Sequence, residues 1–422
     1  MTGKTPPLVP KLRFPEFHEA GDWGLHTLGS IAEPIYEKVG STKCVPMSIT
    51  TGVGLVSQED KFGRVIAGDS YTNYIKLQTD DFAYNKSATK EFPQGYIARY
   101  TGTRDAGVPN SIFTCFRPDT GSVVPEFLDH LFHGNHHGRW LRTYITVGAR
   151  AHGALSVSDD DLFAMPIPLP PESVSRDEQQ KIADCLGSLD DLIAAEGRRL
   201  ETLRRHKEGL LQQLFPEPGE TVPRLRFPEF AAALDWEMST IGARCESFSG
   251  GTPDTSKRAY YGGTIPFIRS AEIGADETEL RLTEEGLASS AAKMVRRGDV
   301  LVALYGANSG DTALARIDGA INQAIMCLRS DDSSPFLYHY LTARKRWIIA
   351  TYLQGGQGNL SGQIVLSVPL TVPQRDEQDR VADCLTSIDD RIAAQWQRLD
   401  ALRQHKLGLL QQLFPTPEEE KR

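Results

Sequence analysis

SRDEQQKIADCLGSLDDLIAAEGRRLETLRRHKEGLLQQLFP, residues 175–216, returns at 374–415 as QRDEQDRVADCLTSIDDRIAAQWQRLDALRQHKLGLLQQLFP, displaced by 199 positions. No proline interrupts either stretch before its terminal LFP, and the apolar positions alternate at spacings of four and three. In the first copy one series runs Ile182, Leu189, Glu196, Leu203, Leu210 and the other Leu186, Ile193, Leu200, Lys207, Leu214. The second copy repeats both as Val381, Ile388, Gln395, Leu402, Leu409 and Leu385, Ile392, Leu399, Lys406, Leu413. These are heptad seams, so each stretch reads as one long helix of about 60 Å at ~1.5 Å per residue. The acidic residues of RDEQ suit the positive end of a helix dipole, and the prolines of LFPEPG and LFPTPEEEKR stop each helix.

The polar seam positions recur at the same phases, Glu196 with Gln395 and Lys207 with Lys406. A parallel pairing in equal register would bury the two lysines against each other, which is disfavoured. The pattern therefore predicts an antiparallel pair with Glu196 opposite Lys406, Lys207 opposite Gln395, Leu200 opposite Leu402, Leu203 opposite Leu399 and Leu210 opposite Ile392. A foreign third helix could occupy the same seam.

Outward from the helices, LRFPEF at 12–17 followed by Asp22-Trp23 returns as LRFPEF at 225–230 followed by Asp235-Trp236. Between the repeated pieces, residues 22–165 and 235–367 diverge, with short strands such as GYIARY, SIFTCF, DVLVALY and AIMCLR set among glycine-rich turns. GVPNSIFTCFRP aligns with GAINQAIMCLRS, and PEFLDHLF with PFLYHYLT, so the two segments read as one fold with different surfaces. The fold predicted is α/β, two mixed α/β domains separated by two long helices in an antiparallel coiled coil, with a pseudo-two-fold internal repeat. The boundaries expected are 1–170, 171–220, 221–370 and 371–422.

Net charge is −9, and hydrophobic residues make up 40% and charged residues 24%, the balance of a folded protein rather than a disordered one. Residues 22–170 carry 13 Lys and Arg against 16 Asp and Glu, and residues 235–373 carry 13 against 15. Neither segment has the basic footprint of a free-standing DNA-binding domain, so a DNA reader of this composition needs a partner to neutralise phosphates. Lys257 with Arg258, Arg296 with Arg297, and Arg344, Lys345 and Arg346 form local basic clusters. MTGKTPPLVPKLRF has no apolar signal region, and no long apolar run exists, which predicts a cytoplasmic protein without membrane contact.

Chemistry-bearing motifs are scarce. There is no GxxxxGK[ST], HExxH or GxSxG, and no [DN]PP[YF]. Cys44, Cys115, Cys185, Cys245, Cys327 and Cys384 include no CxxC pair, and the repeat mates Cys115 with Cys327 and Cys185 with Cys384 read as buried small hydrophobes. His130, His133, His136 and His137 fall on an amphipathic helix and its loop. No metal is expected there, and Asp159, Asp160 and Asp161 read as a cap or solvated turn.

FSGGTPDTSKRAYYGGTIPFIRSAEI, GDVLVALYGANSG, the GQGNLSG turn before VPLTVP, and RDEQDRVADCLTSIDDRI leading into LLQQLFP together resemble the specificity subunit of type I restriction-modification systems. The resemblance covers nearly the whole chain, although residues 22–165 lack the GGTP…YYGG…IPFIRS signature. It implies two target-recognition domains, each reading one half of a split double-stranded DNA site, on helices that set the spacing and dock two modification (methyltransferase) subunits. It further implies a chain without a catalytic centre or bound cofactor. S-adenosylmethionine, ATP and Mg would sit on the modification and restriction (translocase) subunits.

The residues expected to touch DNA are polar or glycine residues in turns bordering strands. In the second segment these are Ser249, Gly250, Gly251, Thr252, Lys257, Arg269, Asn308, Ser309, Gln357 and Asn359, and the matched positions of the first are Thr101, Thr103, Arg104, Arg150 and His152. Arginine, asparagine and glutamine among them pair bidentately with purine edges. A catalytic chain with an unrecognised active site and a pure assembly scaffold are the competing readings.

Overall fold

The computed structural model describes residues 8–50, 52–145, 155–352 and 359–416. The chain divides into two compact units, one formed by Met1–Glu196 with Arg398–Arg422, the other by Gly197–Gln397. Each unit therefore contains one mixed α/β head and a stretch of each long helix. The helices run unbroken over Ser175–Leu214 and Arg375–Leu413. No described helix is long and apolar enough to cross a membrane.

The heads share one topology. In the first, the strands Ala32–Pro34, Phe113–Pro118, Phe82–Asn85 and Tyr96–Arg99 lie side by side in that order, all antiparallel. In the second, Glu246–Ser249, Ile325–Arg329, Val300–Ala303 and Thr312–Leu314 take the same places. Each head has a further four-stranded sheet with one parallel pair, Val45 beside Ala106 in the first and Phe267 beside Ala320 in the second. The inward-facing residues are apolar at every second position or continuously, as strands buried on both faces require. Cys115 and Cys327 lie in equivalent central strands, and burial pushes the Cys327 thiol up to about 12. Cys185 and Cys384 are only half-buried.

Both heads close on themselves before the helix begins. Gly24–Thr27 pairs antiparallel with Pro166–Leu169, and Glu237–Thr240 with Pro369–Val372, so entry and exit strands are hydrogen-bonded neighbours. The exit strand then feeds straight into the long helix.

The repeated pieces meet where head joins helix. In the first unit Arg13 of LRFPEF grips Glu178 of RDEQ bidentately, Nε to Oε1 at 2.8 Å and Nη2 to Oε2 at 2.7 Å, while the Trp23 indole donates to Oε1 at 3.3 Å. The second unit repeats the triad with Arg226, Glu377 and Trp236 at 2.8, 2.7 and 3.2 Å. The next residue is used as well: Gln179 Oε1 accepts from Val124 N at 2.8 Å, and Gln378 Oε1 from Ser333 N at 2.9 Å. These amides precede the helices Pro125–His133 and Ser334–Tyr352, so each glutamine takes up a donor that a helix start leaves open. RDEQ is thus a docking plug for its head as well as a favourable first turn.

The LFP ends are also more than stops. Phe414 packs on Phe127 with ring centroids 5.1 Å apart, and Phe215 on Phe336 at 5.4 Å, each inside its unit's largest apolar cluster. Leu12 N donates to Gln412 O at 3.0 Å, as Leu225 N does to Gln213 O at 2.8 Å.

The helices pair antiparallel, as the heptads predict: in the first unit Asp190 meets Lys406 while Glu196, further along, meets Arg398. The register differs from the expected one by one heptad. Lys406 Nζ reaches Asp190 Oδ2 at 2.7 Å instead of Glu196, whose Oε1 lies 2.9 Å from Arg398 Nε. In the second unit Lys207 Nζ reaches Asp389 Oδ2 at 2.7 Å instead of Gln395. This alignment sets Leu200 in the layer of Gln395 and Leu399 in that of Glu196, so the expected pairs Leu200 with Leu402, Leu203 with Leu399 and Leu210 with Ile392 do not form. The physical reason lies beside the seam: a slip of seven residues keeps the heptad phases while setting Gln395 and Glu196 against leucines, and only the observed alignment gives both lysines an aspartate.

Candidate nucleic-acid interface

Each head's antiparallel sheet has one end tied to the long helix. In the second head that end carries Arg244, whose guanidinium pairs with Asp332 at 3.0 Å, and Asp332 in turn accepts from Gln378 at 2.9 Å. The opposite end is free of the scaffold and carries the loops.

There the chain is drawn together by specific bonds. Gly250 N donates to Asn322 O at 3.2 Å, and a Cβ at Gly250 would fall 1.7 Å from Ile321 O, so only glycine permits this approach. Thr252 Oγ1 donates to Gln323 Oε1 at 2.7 Å. Gly306 N donates to Asn359 Oδ1 at 3.2 Å, tying the turn Gly306–Asn308 to the segment before Leu360. Ser249, Gly250, Gly251, Thr252, Asn308, Ser309 and Asn359 therefore converge at one end of the sheet, and Arg269 leaves the neighbouring parallel strand toward the same end.

Their availability differs. Ser309 is buried, donating to Leu304 O at 2.9 Å and accepting from Leu360 N at 3.3 Å, which makes it a loop fastener. Arg269 holds Glu272 at 3.0 and 3.2 Å and also Glu279. Lys257, Thr252 and Asn359 are exposed, and Lys257 Nζ lies 3.1 Å from the Tyr260 hydroxyl. Of the basic clusters, Arg344 is buried near Glu217, Lys345 pairs with Asp311 and Arg346 with Glu208, whereas Arg296 and Arg297 are exposed. Gln357 lies outside the described residues, as do Arg150 and His152.

The first head distributes its candidates differently. Thr101, Thr103 and Arg104 are exposed in the loop after Tyr96–Arg99, a strand that pairs Arg99 with Phe82 and so leaves the sheet at the scaffold end. Arg99 there pairs with Asp80 at 2.9 Å and with Glu126. The end equivalent to the loop cluster of the second head is built instead from Ile35–Lys38, Lys86, Asn110 and Leu155, joined by Ile35 N to Cys115 O at 2.8 Å, Lys86 N to Ile112 O at 2.9 Å and Leu155 N to Lys86 O at 2.8 Å. It encloses a cavity of about 270 Å³ lined by Tyr36, Lys38, Asn73, Lys86, Asn110 and Asp159 among others. Sequence reasoning missed these because they come from five separate segments. The one available signal was their equivalence, through SIFTCF and AIMCLR, to the loop before Ile325.

The histidines serve packing. His136 Nε2 donates to Pro166 O at 2.7 Å and His137 Nε2 to Gly95 O at 3.2 Å, and burial lowers both to about 4. Asp159, Asp160 and Asp161 open a short helix capped by Ser158, which accepts from Asp161 N at 3.1 Å. No three His, Cys, Asp or Glu side chains among the described residues converge as a metal site.

Residues 233–404 match the type I restriction modification DNA specificity domain. The putative type I restriction enzyme MjaX specificity subunit of Methanocaldococcus jannaschii is 24% identical over 330 residues, covering 76% of this chain and 74% of that one. The MjaIX specificity subunit of the same organism is 25% identical over 190 residues, 43% of this chain and 44% of that one. Among solved structures, the type I S subunit from M. genitalium superposes with a TM-score of 0.60 at 14% identity, covering 97% of this chain and all of that one. A chain from a study of type I R-M complex assembly and conformational transition superposes at 0.59 with 20% identity, covering 98% and 99%. Two like α/β heads on a duplicated helix are the fold that this chain shares with the type I S subunit from M. genitalium. Residues 233–404 thus match a type I restriction modification DNA specificity domain, and the chain as a whole is similar to type I specificity subunits.

Proposed function

We propose that each head reads one half of a split DNA site and that the long helices set the spacing and dock two methyltransferase subunits, all in the cytoplasm. The chain performs no chemistry; S-adenosylmethionine serves the methyltransferase subunits, and ATP and Mg serve restriction subunits. The observation that carries this reading is the contrast between what repeats and what does not. The Arg–Glu–Trp anchor and the lysine–aspartate seam recur residue for residue, while the free ends of equivalent sheets carry different side chains. That is a constant frame under two exchangeable surfaces.

The near-balanced charge of both heads fits a reader that shares phosphate contacts with partners. Binding measured with and without modification subunits tests this. The isolated chain should bind DNA weakly and with steep salt dependence, and added subunits should bring sequence specificity and adenine methylation. Methylation or cleavage by the purified chain alone would contradict the proposal.

A further inference from the structure

The first head has no counterpart of the GGTP signature, yet its scaffold-free end holds a cavity of about 270 Å³. Ile35–Lys38 is held extended across both sheets: Ile35 N bonds Cys115 O at 2.8 Å, Lys76 N bonds Glu37 O at 2.8 Å, and Lys38 bridges Ile75. Alternation along an extended backbone then puts Tyr36 and Lys38 on one face and Glu37 on the other, where Glu37 pairs with Lys76 at 3.0 Å. Tyr36 is 69% exposed, a large ring left in water on a fixed backbone.

Behind it, Lys86 Nζ and Asp159 Oδ1 stand 3.5 Å apart, and Thr114 Oγ1 donates to the same carboxylate oxygen at 2.9 Å. The carboxylate is the diagnostic group. It repels phosphate, so a cavity lined by Asp159 is unsuited to the DNA backbone, but it accepts well from an exocyclic amine. In the major groove a C·G pair presents the cytosine N4 amine beside the guanine O6 and N7 acceptors, the complement of a carboxylate beside an ammonium. The loose ion pair keeps donor and acceptor at the spacing of those neighbouring groups.

We propose that this cavity is the base-reading site of the first head, with Asp159 accepting from cytosine N4, Lys86 donating to guanine O6 or N7 of the same pair, and Tyr36 and Lys38 forming its rim against the adjoining nucleotide and phosphate. The proposal rests on the specificity-subunit reading and assigns the site to Lys86 and Asp159 rather than to Thr101, Thr103 and Arg104.

The test is a methylation map of DNA treated with the full complex carrying Asp159→Asn, Lys86→Met or Tyr36→Ala, beside the triple change of Thr101, Thr103 and Arg104 to alanine. Exchange of residues 235–367 assigns each half-site to its head. Asp159→Asn and Lys86→Met should relax one G·C position in the first head's half by roughly ten- to a hundredfold and leave the other half unchanged. Tyr36→Ala, at an exposed ring, should weaken the same half with folding intact even where the Asp159 change impairs folding. A first-head half without a G·C pair, uniform loss of methylation with the motif intact, or relaxation by the triple variant instead would overturn the proposal. Absence of any two-part motif with the unaltered complex would refute the specificity reading itself.

Discussion

Glu178 and Glu377 each join three parts of their unit that lie far apart in sequence, the arginine of LRFPEF, the tryptophan that follows it and the first turn of a long helix. Glu178 is 1% exposed, so removing its charge strands a buried guanidinium. Glu178→Ala should therefore destabilise the first unit by about 3–5 kcal/mol, and Glu377→Ala the second by a similar amount. Thermal unfolding of each variant checks this, and a shift in line with an ordinary surface change would contradict it. Buried histidines set an acid limit by a different route. His130, His136 and His137 are lowered to about 4 and His339 to about 3, with desolvation the leading cause. Their folded values lie below the unfolded one near 6.5, so the unfolded chain binds more protons between the two. Their stabilising contribution is complete above about pH 6.5 and declines as pH falls, by up to roughly 1.4 kcal/mol per histidine per pH unit. Denaturant midpoints at pH 7.5 and 5 should show the loss, and His339→Gln should flatten it.

Each helix places an aspartate between the opposing lysine and a buried histidine of its own head. Asp190 lies 2.7 Å from Lys406 Nζ and 3.9 Å from His130 Nδ1, and Asp389 lies 2.7 Å from Lys207 Nζ and 4.0 Å from His339 Nδ1. One carboxylate in each unit thus sits where head meets seam, near a histidine nitrogen that makes no hydrogen bond. A double-mutant cycle reads the register directly. Asp190→Lys and Lys406→Asp should each cost stability and recover about 1 kcal/mol when combined, because the pair is only partly exposed. Glu196→Lys combined with Lys406→Glu, the pair favoured by the heptad pattern alone, should be additive within about 0.5 kcal/mol. Coupling in the second cycle and none in the first would restore the alternative alignment.

Over the whole molecule, what was legible in the sequence is what repeats. The heptads foretold two long antiparallel helices, and the SIFTCF and AIMCLR alignment foretold two heads of one fold, because periodicity and burial impose themselves on residue type. The register was not legible from the seam, since a slip of one heptad keeps every seam position in phase and the deciding residues, Asp190 and Asp389, lie beside it. The anchoring role of Glu178 was hidden because its partner stands 165 residues away. In the second head the loop residues Ser249–Thr252 and Asn308 do gather at one end, while in the first the loop at Thr101–Arg104 leaves from the opposite end to the cavity at Tyr36 and Lys86. Residue type alone could not separate those two ends; strand order does.

The central claim is that a constant frame carries two separately acting readers. Its most direct test is the genome-wide methylation pattern of cells whose specificity chain has residues 235–367 replaced by the matching segment of a relative with a different target. The account predicts a two-part motif in which one half changes while the other half and the spacer stay as they were. A change in both halves, or in the spacer, would contradict it.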